Sequence, residues 1–481
     1  MITSPTDARR RPLQADSSVE LLLAASAAES ELPLDAALEQ IGITRFHAAL
    51  ALAAACGWAA DNAWISCVVL ITPRLAAEFS SPRALDGLYL TTLWCGQAAG
   101  ALLWGPFSDV YGRKPAFVLT LGLAGLCGGG VALAPTYATL LAALFLTGVA
   151  VGGNMPVDGA LLAEFLPPSR RGRWMVALSV SWSLGGFLLS LLAWSLIPRL
   201  SCDGAAACNA GWRLTVGALA ALNLAATASR RGLPESPAFL LARGRADEAH
   251  AVLLRVAGTP PPLGLQLLPH AAAELPWRDA TRRLLREMPL TLLLLAAIWF
   301  FANLGYGVFN SSVPKLLAAK GIGAAKAGEA AVYRDALIYA AAGVPGSLAG
   351  MLLVDSCLGR KWSLAGSALA LGAGLAAFAL VQSEAAAVGA SCLINAAAQA
   401  MYAAQFLYTP EVLPTAVRAS GVALLSAISR VSGTIAPLVA GALLHATGDS
   451  QLLLYIGAGC LGLVVLATGC LPIETKGRAL K

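Results

Sequence analysis

Twelve apolar runs, each of about 20 to 30 residues, divide this chain of 481 residues. An α-helix rises about 1.5 Å per residue, so some 20 residues cover the roughly 30 Å hydrocarbon layer of a bilayer. The runs lie at about 47–72, 86–107, 115–134, 137–165, 174–198, 212–230, 289–313, 333–354, 362–381, 385–409, 418–446 and 450–472. Short charged junctions join most of them; GPFSDVYGRK, Gly105 to Lys114, connects the second to the third and requires neighbouring antiparallel helices. Only 12% of residues are charged against 57% hydrophobic, too few charges to cover a soluble globule. The expected fold is an all-α polytopic membrane protein with twelve transmembrane helices.

The basic residues set its orientation. With the N-terminus in the cytosol, the cytosolic segments hold 24 Lys and Arg and the opposite loops 8, while Arg430 lies within a run. An excess of that size in short loops places both termini in the cytosol. It also accounts for the net charge of +6 without a nucleic-acid partner. Residues 1–45 are expected to form a cytosolic tail ending in a short amphipathic helix at the membrane entrance, LDAALEQIGITRFH. Residues 46–230 form the first six-helix half, 231–288 a cytosolic central loop, 289–472 the second half and 473–481 a cytosolic tail. Eight of the ten cysteines fall in apolar runs and read as packing residues. Cys202 and Cys208 share a polar loop, where a disulfide and a free pair are both open.

The halves repeat. Gly112, Arg113 and Lys114 recur as Gly359, Arg360 and Lys361, and Glu164, Pro167 and Arg171 recur as Glu411, Pro414 and Arg418, all displaced by 247 positions. One shared offset implies two parallel six-helix repeats related by an axis along the membrane normal. Asp109 has no such counterpart, since its equivalent is Ser356 beside Asp355, so the second copy is expected to be looser.

This arrangement, with G-x-x-x-D-x-x-G-R-K after the second run, resembles the major facilitator superfamily. GWAADNAW, GVAVGGNMPVDGALLAEFLP, PESPAFLLARGRADEA, YTPEVLPTAVRASG and PIETKGR narrow the resemblance to its synaptic-vesicle-protein-related branch, related to the sugar porters. The resemblance implies that Asp109, Arg113, Glu164, Arg171, Arg360, Glu411 and Arg418 form a gate at the cytosolic face; ordinary positive-inside topology is the competing account for each alone. Asp158, past the midpoint of the fourth run, is placed with that gate.

Ionised groups inside a span are costly, which makes them candidates for function. Asp61 lies in the first run beside Asn62 and Trp64, where a carboxyl can couple to protons, bind a cation or form a structural pair with a neighbouring helix, with Arg430 as one candidate partner. Arg430 lies in the eleventh and stays ionised, so it needs a carboxylate, a set of carbonyls or an anionic solute. Asn154, Trp182, Asn303, Tyr306, Asn310, Asn395, Gln399 and Tyr402 supply neutral polar groups to the fourth, fifth, seventh and tenth runs. Residues 395, 399 and 402 share a helix face. The resemblance implies that the first, fourth, seventh and tenth helices line a central cavity; helix packing is the alternative for each residue alone.

No phosphate-cradling motif or histidine pattern suited to a metal occurs, so no cofactor or metal is expected. The expected protein is a secondary transporter, not an enzyme. It would move a small polar or charged solute by alternating access, coupled to protons, as a monomer in membrane lipid. A transport-inactive receptor or scaffold on the same fold is the alternative.

Overall fold

The computed structural model describes residues 31–80, 85–201, 209–258, 266–267, 277–319, 329–414, 417–447 and 450–476. Cys202 and Cys208 lie outside the described residues. The first half contains α1 (Leu34–Ile41), α2 (Arg45–Phe79), α3 (Asp86–Tyr111), α4 (Arg113–Ala132), α5 (Tyr137–Val151), α6 (Asn154–Phe165), α7 (Pro168–Leu196) and α8 (Ala210–Arg230). Three short helices follow, α9 (Pro237–Ala242), α10 (Ala246–Ala257) and α11 (Trp277–Glu287). The second half contains α12 (Pro289–Asn310), α13 (Val313–Ala319), α14 (Glu329–Asp355), α15 (Gly359–Leu380), α16 (Glu384–Val412), α17 (Arg418–Thr447) and α18 (Ser450–Gly469). Among the described residues the only strand pairing is Glu31–Leu32 with Gln266–Leu267, so the chain is all-α as expected.

Ten of the spanning helices are long and apolar enough to cross a membrane, α5 and α6 counting as one. α3 and α8, of 26 and 21 residues, occupy the other two expected places. The GPFSDVYGRK stretch is more helical than its sequence suggests. α3 runs through Tyr111 and α4 starts at Arg113, leaving Gly112 alone as the turn. Gly112 has φ of +114°, and a Cβ there would lie 2.3 Å from the Glu235 carboxylate, so only glycine fits.

Each half is centred on its own hydrophobic clusters, although one of the first half's also takes in Tyr333 and Ala336 of α14. Trp64, Tyr89 and Trp212 anchor one cluster of the first half, and Trp58, Trp104, Phe117 and Phe165 another. Trp299, Phe309, Phe378 and Tyr408 anchor the second half. The halves meet where α3 packs on α17 and α7 on α14. At Gly87 a Cβ would lie 2.2 Å from the Pro437 carbonyl oxygen, and Ser183 Oγ lies 2.7 Å from Ser347 Oγ. The amphipathic helix α1 forms, but Leu34, Ala37 and Leu38 bury against Leu240, Leu241 and Leu253 of α9 and α10 instead of lipid.

Glycines also break the fourth span. Gly148 and Gly152 pack so tightly on α3 that a Cβ on either would lie 2.3 Å from a backbone oxygen there. Pro156 follows Gly152 by four residues and has no N–H, so the Gly152 carbonyl loses its helical donor. The helix restarts at Asn154.

Candidate functional site

The two charges singled out from the sequence meet in one layer between the halves. Asp61 is 3% exposed, and Asn154 Nδ2 donates to its Oδ1 at 2.9 Å. Arg430, 6% exposed, reaches from α17 into the other half. Its Nη1 donates to Gln97 Oε1 at 3.2 Å and its Nη2 to the Gly152 carbonyl freed by Pro156, at 3.4 Å. The direct Asp61–Arg430 pair allowed by the sequence is absent. Each charge lies within electrostatic range of the other, but Asn154 holds the carboxylate while α3 and α5 hold the guanidinium. Among the described residues no carboxylate lies within 4.0 Å of Arg430.

The second half supplies a neutral cluster. Tyr306 Oη lies 2.8 Å from Tyr339 Oη and donates to Asn395 Oδ1 at 3.0 Å. Tyr339 donates to Asn310 Oδ1 at 2.8 Å, and Gln399 Nε2 to Asn395 Oδ1 at 3.3 Å. Tyr402 Oη donates to Asn303 Oδ1 at 3.4 Å. The six residues expected here from α12 and α16 therefore come together, joined by Tyr339 of α14. One turn from Asp61, an aromatic row crosses the halves: the Trp58 and Phe406 rings are 6.5 Å apart and Phe406 and Trp299 5.1 Å.

Three other candidates make contacts within the first half. Trp64 is fully buried against Gly128 of α4, where a Cβ would lie 2.2 Å from the indole. Asn62 Nδ2 donates to the Trp182 carbonyl at 2.7 Å, so Asn62 and Trp182 tie α2 to α7 within one half.

The repeated motifs form two matching networks at one end of the molecule. Arg113 pairs with Asp109 and, through Nε, with Glu164 at 3.1 Å, while Ser236 Oγ donates to Glu164. Glu235 Oε1 accepts from the backbone N–H groups of Arg113 and Lys114, both at 3.0 Å. In the second half, Glu474 accepts from Arg360 and Lys361 N–H at 3.0 Å each, and Thr475 Oγ1 donates to Glu411 at 2.5 Å. Arg360 lies 3.4 Å from Glu411 and 3.5 Å from Asp355, too far for well-aligned hydrogen bonds. The second copy is looser, as the Ser356 departure implies. Glu235-Ser236 and Glu474-Thr475 escape a search at fixed offset, but the first directly follows Leu233-Pro234 and the second follows Leu471-Pro472 after one intervening residue.

Three residues placed with these networks do different work. Arg171 Nε donates to the Leu166 carbonyl at 3.0 Å and Arg418 Nε to Leu413 at 3.3 Å, capping the preceding helices. Arg171 also pairs with Asp35 of α1 at 2.6 Å rather than with Glu164. Asp158 is fully buried away from Arg113 and pairs with Arg230 at 2.8 and 3.1 Å. Arg230 also donates to the Phe117 and Ala53 carbonyls and stacks 3.8 Å over the Phe117 ring. At the end of its run Arg230 reads as a loop residue, yet it is 0% exposed.

Each arginine network stays within its own half. At the opposite end the polar contacts cross: Lys315 Nζ lies 2.6 Å from Asp86 Oδ2, and Thr91 Oγ1 donates to the Thr434 carbonyl at 3.0 Å. Tyr333 Oη donates to the Leu70 carbonyl at 3.4 Å.

Comparison with known proteins agrees with this architecture. The family model described as sugar (and other) transporter matches residues 77–481. An "MFS siderochrome iron transporter 1" of Ceriporiopsis subvermispora is 33% identical, with 92% of this chain and 90% of that protein covered. A "Synaptic vesicle 2-related protein" of Rattus norvegicus is 30% identical over 92% of this chain and 81% of its own length. The xylose transporter XylE from E. coli, in a partially occluded inward-open conformation, superimposes with a TM-score of 0.72 at 17% identity, covering 89% of this chain and 100% of that one. The chain belongs to the sugar (and other) transporter family of the major facilitator superfamily, in its synaptic-vesicle-2-related branch, and is an integral multi-pass membrane transporter of small solutes, not an enzyme.

Proposed function

We propose that the protein is a proton-coupled secondary transporter in which the two halves rock about the Asp61–Arg430 layer, exposing it to each side in turn. Both termini and the two arginine networks face the cytosol on this reading, in accord with the Lys and Arg bias of the loops. The largely separate clusters suit bodies that move as units, with Tyr333 and Ala336 of α14 joining them at the Asp86–Lys315 end. The cross-half contacts around Asp86 and Lys315 then close the outer side, and the half-internal Arg113 and Arg360 networks leave the inner side free to part.

The observation that carries proton coupling is the setting of Asp61. It is buried where the halves meet and its direct partner is the neutral amide of Asn154. A carboxyl so placed can change its charge without dismantling an ion pair, and each change alters how the layer holds a charged solute.

Proteoliposomes containing the full chain test this with a panel of labelled sugars, acids and amines, with and without an inward proton gradient. The wild type is expected to accumulate a solute only with the gradient, and more as the outer pH falls. Asp61→Asn should lose accumulation and keep exchange of labelled for unlabelled solute. Full gradient-driven accumulation by that variant would refute the role of Asp61.

A further inference from the structure

We infer that the transported solute is a small oxyanion, a carboxylate or a phosphate, whose charged group is received by Arg430. This rests on the transport reading above and adds to it the charge of the solute.

The chain contains its own standard for a buried arginine with a structural role. Arg230 has a carboxylate on two nitrogens, two backbone carbonyls and an aromatic face. Arg430 is almost as deeply buried, and among the described residues it has no carboxylate partner and a single backbone carbonyl, that of Gly152. It holds two long hydrogen bonds to neutral acceptors; its Nε is unpartnered, as is that of Arg230, so the difference lies in what the terminal nitrogens bind. A guanidinium stays charged, and taking it out of water costs several kcal/mol unless an anion compensates. Two weak neutral bonds do not balance that cost.

Other unused groups lie on the residues beside it. Gln97 accepts from Arg430, yet its own Nε2 is unpartnered; Asn154 binds Asp61, yet its Oδ1 is unpartnered. A carboxylate or phosphate takes two parallel N–H donors of a guanidinium and an amide N–H beside them. Arg430 and Gln97 present that donor set from opposite halves, so a bound oxyanion would be held by both. A neutral sugar would leave the guanidinium uncompensated.

Asp61 ties this site to the proton. The charged groups within its range are Arg430 and the mutually neutralising pair Asp158 and Arg230. An ionised Asp61 offsets Arg430 from a distance, whereas a protonated one leaves the guanidinium free for the solute. Proton and oxyanion therefore favour each other's binding by the same factor.

The test measures ligand-induced thermal stabilisation of the purified full chain, using acetate, benzoate, succinate, inorganic phosphate, benzamide, D-xylose and choline. At least one oxyanion is expected to stabilise the wild type, and its neutral counterpart, such as benzamide for benzoate, not to. Arg430→Gln should weaken that binding by about thirtyfold or more, with Arg430→Lys intermediate. Circular dichroism and a monodisperse elution profile confirm that both variants fold. The carboxylates and phosphate separate the two sources of the group. Stabilisation by xylose or choline alone, by no oxyanion, or equally in Arg430→Gln overturns the inference. Binding that depends on Arg430 but never leads to uptake in proteoliposomes would instead refute the transport reading and leave the oxyanion site standing.

Discussion

Arg230 and Arg430 are both arginines within the helical bundle, and they make opposite demands on their surroundings. Removing the Arg230 side chain leaves the Asp158 carboxyl fully buried without its ion-pair partner. Arg230→Ala is therefore expected to destabilise the protein by about 3–5 kcal/mol. Replacing both partners by apolar residues, Arg230→Met with Asp158→Leu, should cost less than either single change. Reversible unfolding in mixed micelles measures both; a double variant that is additive would contradict the account. Gly57→Ala should fail similarly, since its Cβ would lie 1.8 Å from Asp158 Oδ2. At this scale the sequence exposes what departs from its surroundings. Asp61 and Arg430 are legible because they are charges deep within apolar runs. Arg230 is hidden by its place at a run's end, and Gln97 and Tyr339 by belonging to spans not expected to line the cavity. The Gly152 carbonyl is different again: Pro156 predicts that it is free, but only the fold brings Arg430 to it.

The elements show where an internal repeat is informative. Fixed offset identifies Gly112, Arg113 and Glu164 with their second copies, and each pair occupies the corresponding place, with longer arginine–glutamate contacts in the second half. It misses Glu235 and Glu474, because the stretches leading to them differ in length between the halves. Each of these carboxylates accepts two N–H groups at a helix N-terminus, where negative charge is favoured by up to about 2 kcal/mol in partly buried sites. Glu235→Gln and Glu474→Gln should therefore lower the midpoint of thermal unfolding by similar amounts. Their similarity is the test of the repeat; a large effect from only one would deny that the second network is equivalent. Gly112→Ala should be worse than Glu235→Gln, since it adds a strained backbone to a collision with the same carboxylate. The helix α1 illustrates the other limit. Its amphipathic pattern is plain in the sequence, but the pattern is equally satisfied by lipid or by α9 and α10. Which surface it covers depends on a central segment whose helices return to it.

For the whole molecule, the proposed mechanism has the two halves exchange contacts at one end for contacts at the other. The Asp86–Lys315 ion pair joins the bodies at the end away from the arginine networks. Neutralising it should favour opening there, and exchanging the charges, Asp86→Lys with Lys315→Asp, should restore closure. The membrane fold and its twofold repeat were legible because hydrocarbon thickness and loop charge act on every span alike. The conformation was not, because in the proposed mechanism every state would use the same helices and differ only in which ends touch. Alternating access is thus tested most directly by the distance between spin labels at the exposed positions Leu133 and Ala446, one in each half at the Asp86–Lys315 end. The account predicts two populations, a short distance dominant in the wild type and a longer one enriched in Asp86→Asn, with the charge exchange restoring the short one. A single distance, unchanged by these substitutions and by solute with a proton gradient, would contradict it.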